Sequence, residues 1–291
     1  MHLDAVRAAV GGIVVPRLRR SLEQLGAVVS VEATGPEVRV RLALPEGAVS
    51  PADLESAAAA AARKAGAAGA VVELRALDSD AQDVLAAALR AGGPSRPGGP
   101  GSRTRVLCVA SGKGGVGKSS VTANVAVALA RAGRDVAVLD ADVWGFSIPR
   151  LLGVTEPPAV LGGMILPAAA HGVRVISMDF FVPEDQAVIW RGPMLHKALE
   201  QFLDEVFWDE PEFLLLDLPP GTGDVPISLS QFLPGALTVV VTTPQEASLG
   251  VVRKGIAMFQ KVNVPITGII ENMSYFTAPD GERVGVFGHG G

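Results

Sequence analysis

The run Gly112-Lys113-Gly114-Gly115-Val116-Gly117-Lys118-Ser119 constrains this chain more than any other stretch. It follows an apolar run, Val106 to Ala110, and passes into a helix-like pattern. Its spacing is G-x-x-x-x-G-K-[ST], set between a strand and a helix, the context in which that spacing cradles phosphate. Glycine is needed because phosphate oxygens must come close to bare backbone and because some positions there suit only a residue without a Cβ. Successive N–H groups then form an anion-binding nest at a helix N-terminus. Lys118 is expected to reach the terminal phosphates and the Ser119 hydroxyl to meet Mg²⁺. The nucleotide is expected to lie along Gly112 to Ser120.

From Thr104 onward, strand-like and helix-like patterns alternate. The strand-like runs are Val106–Ala110, Val136–Leu139, Val173–Ser177, Phe213–Leu216, Leu237–Thr242 and Ile266–Ile270. They are nearly continuous in apolar residues, as strands covered on both faces are. Helical faces lie between several of them: Leu195, Leu199, Phe202 and Val206 in one, Leu249, Val252, Ile256 and Phe259 in another. The alternation predicts an α/β fold with a parallel sheet and right-handed crossovers, its ligand site at the carboxyl ends of the strands.

Residues 1–80 read differently, as a small α+β domain. Leu3–Val10 is a short helix, and Ala27–Val31 and Glu37–Leu44 are strands, the second alternating Val38, Val40, Leu42, Leu44 on one face. Pro51–Lys64 is an alanine-rich helix with Ser50 as its expected N-cap and Pro51 at its first position. Val71–Leu77 is a third strand. Residues 91–103 form a linker, with Gly92 to Gly101 too rich in Gly and Pro for helix or strand, so the two domains are expected to move independently. Residues 104–291 make the second domain.

Other motifs fall at the predicted strand ends. Asp140 and Asp142 close the second strand beside the glycine loop, and paired carboxylates there suit Mg²⁺ and its waters. Asp217 follows three leucines and opens Leu218-Pro219-Pro220-Gly221-Thr222-Gly223-Asp224, a stiff exit able to sense the γ-phosphate. Asp217 is the expected second metal-side acid. Asn272 carries a donor and an acceptor, matching the edge of adenine. Trp190-Arg191-Gly192-Pro193 opens a helix, with Arg191 facing either a phosphate or an acid. Gln245-Glu246-Ala247-Ser248 opens another and is assigned capping and packing only.

Lys113 makes the loop unusual, since a second cation so near Lys118 would repel it unless an anion lay between them. With Lys113 the loop resembles the deviant P-loop of the MinD, ParA, nitrogenase iron protein and Mrp group. The D-x-P-P-G-T-G-D run and Trp190-Arg191-Gly192-Pro193-Met194 are similar to the Mrp branch of iron–sulfur carrier ATPases. The resemblance implies a deviant Walker A class of P-loop NTPase fold, a homodimer, ATP and Mg²⁺ as ligands, and hydrolysis of ATP as the activity. Lys113 would cross the dimer interface to the partner's nucleotide, and Lys118 would hold phosphate. Asp142 would position the attacking water, Ser119, Asp140 and Asp217 would serve the metal, and Asn272 would hold the base. The helix–strand–strand–helix–strand order of the first domain resembles the small iron–sulfur assembly domain often fused ahead of such ATPases, with Val15-Pro16 where that family has Asp-Pro. Its expected role is partner docking, the partners being iron–sulfur scaffold or acceptor apoproteins.

Two departures stand out. The family follows Asn-Met-Ser with C-x-x-C, two copies of which supply four thiolates to a bridging [4Fe–4S] cluster. Here Thr277-Ala278-Pro279-Asp280-Gly281 follows instead, and the single cysteine, Cys108, lies in a buried strand. Asp280, Glu282 and His289 are hard ligands that sulfide clusters do not favour. Nucleotide chemistry is therefore expected to persist and stable cluster binding to weaken or vanish. The family also continues past Gly291, so truncation at the C-terminus is expected. A net charge of -5 argues against nucleic acid and anionic membrane as partners. No apolar run reaches membrane-spanning length, no signal-peptide pattern opens the chain, and one buried thiol suits the cytoplasm. The alternatives are a ParA- or MinD-type positioning ATPase and a non-catalytic adaptor propped open by nucleotide.

Overall fold

Residues 2–91, 96–143, 145–181, 192–221 and 225–288 are described by a computed structural model. Trp144, Trp190, Arg191, Thr222, Gly223, Asp224, His289 and linker residues 92–95 lie outside the described residues, as does the side chain of Leu249. In chain order, α1 (Leu3–Gly11) precedes the short strands β1 (Val14–Val15) and β2 (Arg20–Ser21). Next come β3 (Val28–Thr34), β4 (Glu37–Leu44), α2 (Pro51–Lys64), β5 (Ala70–Ala76) and α3 (Ser79–Arg90). After the linker come β6 (Arg105–Ser111), α4 (Lys118–Arg131), β7 (Val136–Asp140) and α5 (Ile148–Leu151). Short strands β8 (Ala159–Leu161), β9 (Met164–Leu166) and β10 (Ala168–Ala170) lead to β11 (Val173–Ser177). Then α6 (Gly192–Glu205), β12 (Phe213–Asp217), α7 (Val225–Phe232), β13 (Leu237–Thr242), α8 (Glu246–Lys261) and β14 (Ile266–Glu271) precede a hairpin of β15 (Phe276–Thr277) and β16 (Arg283–Val284).

The chain forms two compact units. The first holds residues 1–93 together with 156–169 and 205–209. Its sheet has the order β3-β4-β5, with β4 antiparallel to β3 and parallel to β5. The alternation in β4 does what its pattern demands: Val38, Val40, Leu42 and Leu44 are buried and the residues between them are not. Helix α2 turns Leu54, Ala58 and Ala62 into the core. Ser50 does take the extended N-cap conformation, but its hydroxyl makes no capping bond. Asp78, by contrast, accepts from the Ala81 N–H at 2.9 Å and opens α3, a helix beyond the boundary at residue 80.

Two segments from later in the sequence complete this unit's core. Leu161, Met164, Leu166 and Phe207 belong to the same buried cluster as Val6, Leu18, Val40 and Leu54. The Phe207 N–H donates to the Ile165 carbonyl at 2.8 Å, and Arg20 grips Asp209 with two bonds of 2.7 and 2.8 Å. Arg17, 4 % exposed, donates to the Pro157 carbonyl at 2.8 Å. The polypeptide thus passes between the units at 93/94, 155/156, 169/170, 204/205 and 209/210 rather than through one linker.

The second unit is built on a seven-stranded sheet of order β10-β11-β7-β12-β6-β13-β14. From β11 to β14 every neighbouring pair is parallel. The strands β7, β11 and β12 are mostly apolar because both faces are covered: β7 and β11 are buried at all five positions, Arg174 of β11 included. Parallel register brings like ends of these strands together. Ser177 pairs with Asp140 and Asp140 with Asp217, so three polar residues form one row across the carboxyl ends of β11, β7 and β12.

Candidate nucleotide site

The glycine loop leaves β6 at Ser111 and enters α4 at Lys118. Two glycines meet distinct local demands. Gly117 is the α4 N-cap in the left-handed region, φ 83°, and a Cβ there would fall 2.2 Å from Asn272 Nδ2. Gly112 has no positive φ, yet its Cβ would lie 2.9 Å from the Val252 backbone nitrogen. The first glycine is thus required by α8 crossing the loop, a cause beyond phosphate approach.

Lys118 is 6 % exposed, and its Nζ lies 2.7 Å from Asp217 and 3.3 Å from Asp142. Asp217, fully buried, gathers three donors: Lys118 Nζ, the Ser119 hydroxyl at 2.5 Å and the Thr122 hydroxyl at 2.7 Å. The row of strand ends places Asp217 opposite the first turn of α4, which is why these groups converge. Thr122 was not singled out in the sequence. Its signal was available, since it lies four residues after Lys118 on the same helix face.

Asp140, expected on the metal side, bonds to its own chain. Its Oδ1 accepts from the Asp142 N–H, and its Oδ2 from the N–H groups of Ser147 and Ile148 and from the Ser177 hydroxyl. Burial pushes its carboxyl up to about 7, the nearby Asp217 charge adds to this, and the N–H bonds from Ile148, Asp142 and Ser147 oppose it. Its geometry is that of a brace tying Asp142, Ser147 and Ile148, in the segment 142–148, to β7, with these four bonds all going to its own chain. Asp142 is instead on the Lys118 side of that segment, 6 % exposed.

Lys113 Nζ donates to Gln245 Oε1 at 2.5 Å, and the Lys113 carbonyl accepts from the Ser111 hydroxyl at 3.0 Å. Asn272, at the end of β14, donates from Nδ2 to the Val116 carbonyl at 2.9 Å. Gly112 to Ser120 and Asn272 are therefore contiguous, with Lys118, Ser119, Asp142 and Asp217 converging at one end. A loop of bare amides, an ammonium and a hydroxyl–carboxylate pair is suited to a phosphate chain and its counter-ion. The profile described as ParA, NUBPL iron-transfer P-loop NTPase, matches residues 102–291.

This chain belongs to the NUBPL iron-transfer P-loop NTPase family.

Curated relatives of this family member extend the likeness to 99 % of the chain. The iron–sulfur cluster carrier protein of Mycobacterium bovis is 45 % identical across 99 % of this chain and 77 % of its own length. That of Deinococcus radiodurans is 41 % identical over 99 % of this chain and 80 % of its own length. A nucleotide-binding protein of Archaeoglobus fulgidus, solved with ADP, is 40 % identical with a TM-score of 0.56, covering 65 % of this chain and 75 % of that one.

Cys108 is fully buried in β6, and burial pushes its thiol up to about 12. Among the described residues no group of three or more His, Cys, Asp or Glu is placed to hold a metal ion. Among them, too, no helix is long and apolar enough to cross a membrane.

Proposed function

We propose that this chain is a Mg²⁺-dependent ATPase that acts as a homodimer in cytoplasmic iron–sulfur cluster carriage. The observation that carries the reading is the convergence of Lys118, Ser119, Asp142 and Asp217 at the exit of the glycine loop. Lys118 exchanges its carboxylate partners for phosphate oxygens. Asp142, on the loop side of the segment braced by Asp140, orients the attacking water. Lys113 completes the site of the partner protomer, and Asn272 meets the base. The Ser119 hydroxyl and the Asp217 carboxylate are hard oxygen donors of the kind Mg²⁺ prefers, and Mg²⁺ would neutralise charge on the phosphates there. The names of the relatives favour carriage over positioning on DNA or membrane.

Purified protein is expected to release phosphate from ATP with Mg²⁺ present and to lose that activity in EDTA. Release that continues unchanged in EDTA would overturn the metal assignment. The cluster itself is cargo, and these residues do not suit it as ligands: a [4Fe–4S] cube takes four thiolates, while two copies of this chain bring only two, both buried. Its contact is assigned to the acceptor or scaffold partner. Anaerobic reconstitution should leave well under one iron per protomer, and about four iron and four sulfide per dimer would refute this assignment.

A further inference from the structure

Gln245 has a position its local sequence does not explain. It is the N-cap of α8, with the extended backbone of that position, φ -65° and ψ 128°, but its side chain makes no capping bond. The helix opening is served without it. The Gln245 carbonyl accepts from the Ser248 N–H at 2.8 Å, and the buried hydroxyls of Thr243 and Ser248 bond each other at 3.0 Å. The amide is thereby free of local duty, and its Oε1 takes the Lys113 ammonium across 132 residues of sequence.

The two ends of this bond are held in fixed relation. The Cα of Gly112, next to Lys113, approaches the α8 backbone so closely that a Cβ would lie 3.0 Å from the Val251 carbonyl carbon. The Ser111 hydroxyl pins the Lys113 carbonyl at 3.0 Å. Loop and helix backbone are therefore in close contact beside the Lys113–Gln245 bond, and two long side chains, the lysine and the glutamine, bridge them. We propose that Gln245 is a positioning residue that parks the Lys113 ammonium on its own protomer and sets the cost of lending it to a neighbour's nucleotide. This rests on the role given to Lys113 above.

The choice of amide over acid follows from the energetics. A neutral acceptor gives an ammonium one directed bond that a phosphate oxygen can outcompete. A carboxylate at the same distance would add the attraction of opposite unit charges to that bond, a term that salt screens. Gln245→Glu is therefore expected to trap Lys113 and lower kcat about tenfold, the factor that corresponds to ~1.4 kcal/mol. Nucleotide affinity should hold, since Lys118 and the loop amides are untouched. Gln245→Met keeps length and helix start but removes the acceptor, and should leave kcat equal or raise it up to about threefold, as expected for losing one modest hydrogen bond.

The decisive measurement is a double-mutant cycle on kcat and KM with Lys113→Ala, at two salt concentrations. The proposal expects the Glu effect to shrink in high salt and to vanish when Lys113 is alanine. It is overturned if Glu and Met shift kcat in the same direction, or if Gln245→Glu costs as much without Lys113 as with it, because either pattern marks a purely structural helix cap. Failure of the underlying reading looks different: Lys113→Ala alone would then keep full turnover, whatever residue 245 does.

Discussion

Replacing Lys118 with alanine is expected to abolish ATP turnover, by more than about 10³-fold, the scale on which removing one preorganised charge-stabilising group acts. Lys118 is the ammonium set between Asp217 and Asp142, at 2.7 and 3.3 Å. All three groups are nearly or fully buried. Removing the cation takes away the proposed phosphate ligand and also leaves two carboxylates without it. Breaking a buried ion pair from one side costs about 3–5 kcal/mol, so the variant should also melt at lower temperature. The two effects separate with Lys118→Arg, which keeps the charge but replaces a compact ammonium with a planar fork. That variant should recover most of the lost thermal stability and little of the turnover. Phosphate release, nucleotide titration and thermal unfolding on the three proteins decide it. Turnover by folded Lys118→Ala within tenfold of the native rate would remove Lys118 from the mechanism.

Lys113→Ala should behave otherwise. Its ammonium bonds Gln245 and takes no part in the cluster at Asp217, so its loss leaves that cluster intact. Nucleotide affinity is expected to stay within about threefold, while hydrolysis falls about 10³-fold or more, the range for a cation supplied in trans. The sharper test mixes the two variants. In a mixed pair, the Lys118→Ala protomer still carries Lys113 and can lend it to the Lys113→Ala protomer, whose own loop is whole. With random pairing, half the dimers are mixed and each has one working site, so activity should recover to about a quarter of native. A mixture no more active than the sum of its parts would place Lys113 in its own protomer's chemistry.

Six strands of the main sheet, β6, β7, β11, β12, β13 and β14, were legible to within a residue or two because both faces of the sheet are covered, whereas the short β10 and the β15–β16 hairpin were not read. Val106–Ala110, Val136–Leu139, Phe213–Leu216 and Leu237–Thr242 all fall inside or on observed strands. The loop, Lys118, Ser119, Asp142 and Asp217 came from spacing, which is local. What escaped was set by register and by distant packing. That Asp140 takes these bonds depends on Ser177 standing beside it in the neighbouring strand and on the N–H groups of Asp142, Ser147 and Ile148 meeting its oxygens. No spacing within either motif encodes that pairing. Gln245 reads locally as a helix opener, and only the close approach of α8 to Gly112 brings it to Lys113. Ser50 shows the converse, a residue with the right type and backbone for a cap whose hydroxyl is not used.

The core shared by Val40, Leu54, Leu161, Leu166 and Phe207 carries an implication for how this gene can be cut and recombined. The amino-terminal unit cannot be lifted out as a cassette ending near residue 93, because four of its interior side chains, Leu161, Met164, Leu166 and Phe207, are encoded downstream of the P-loop. Each such gap would cost on the order of 2–5 kcal/mol, as large-to-small core changes do, and the four together are comparable with the whole stability of an ordinary domain. A split near residue 93 would therefore divide the interior of one unit and not merely sever a tether.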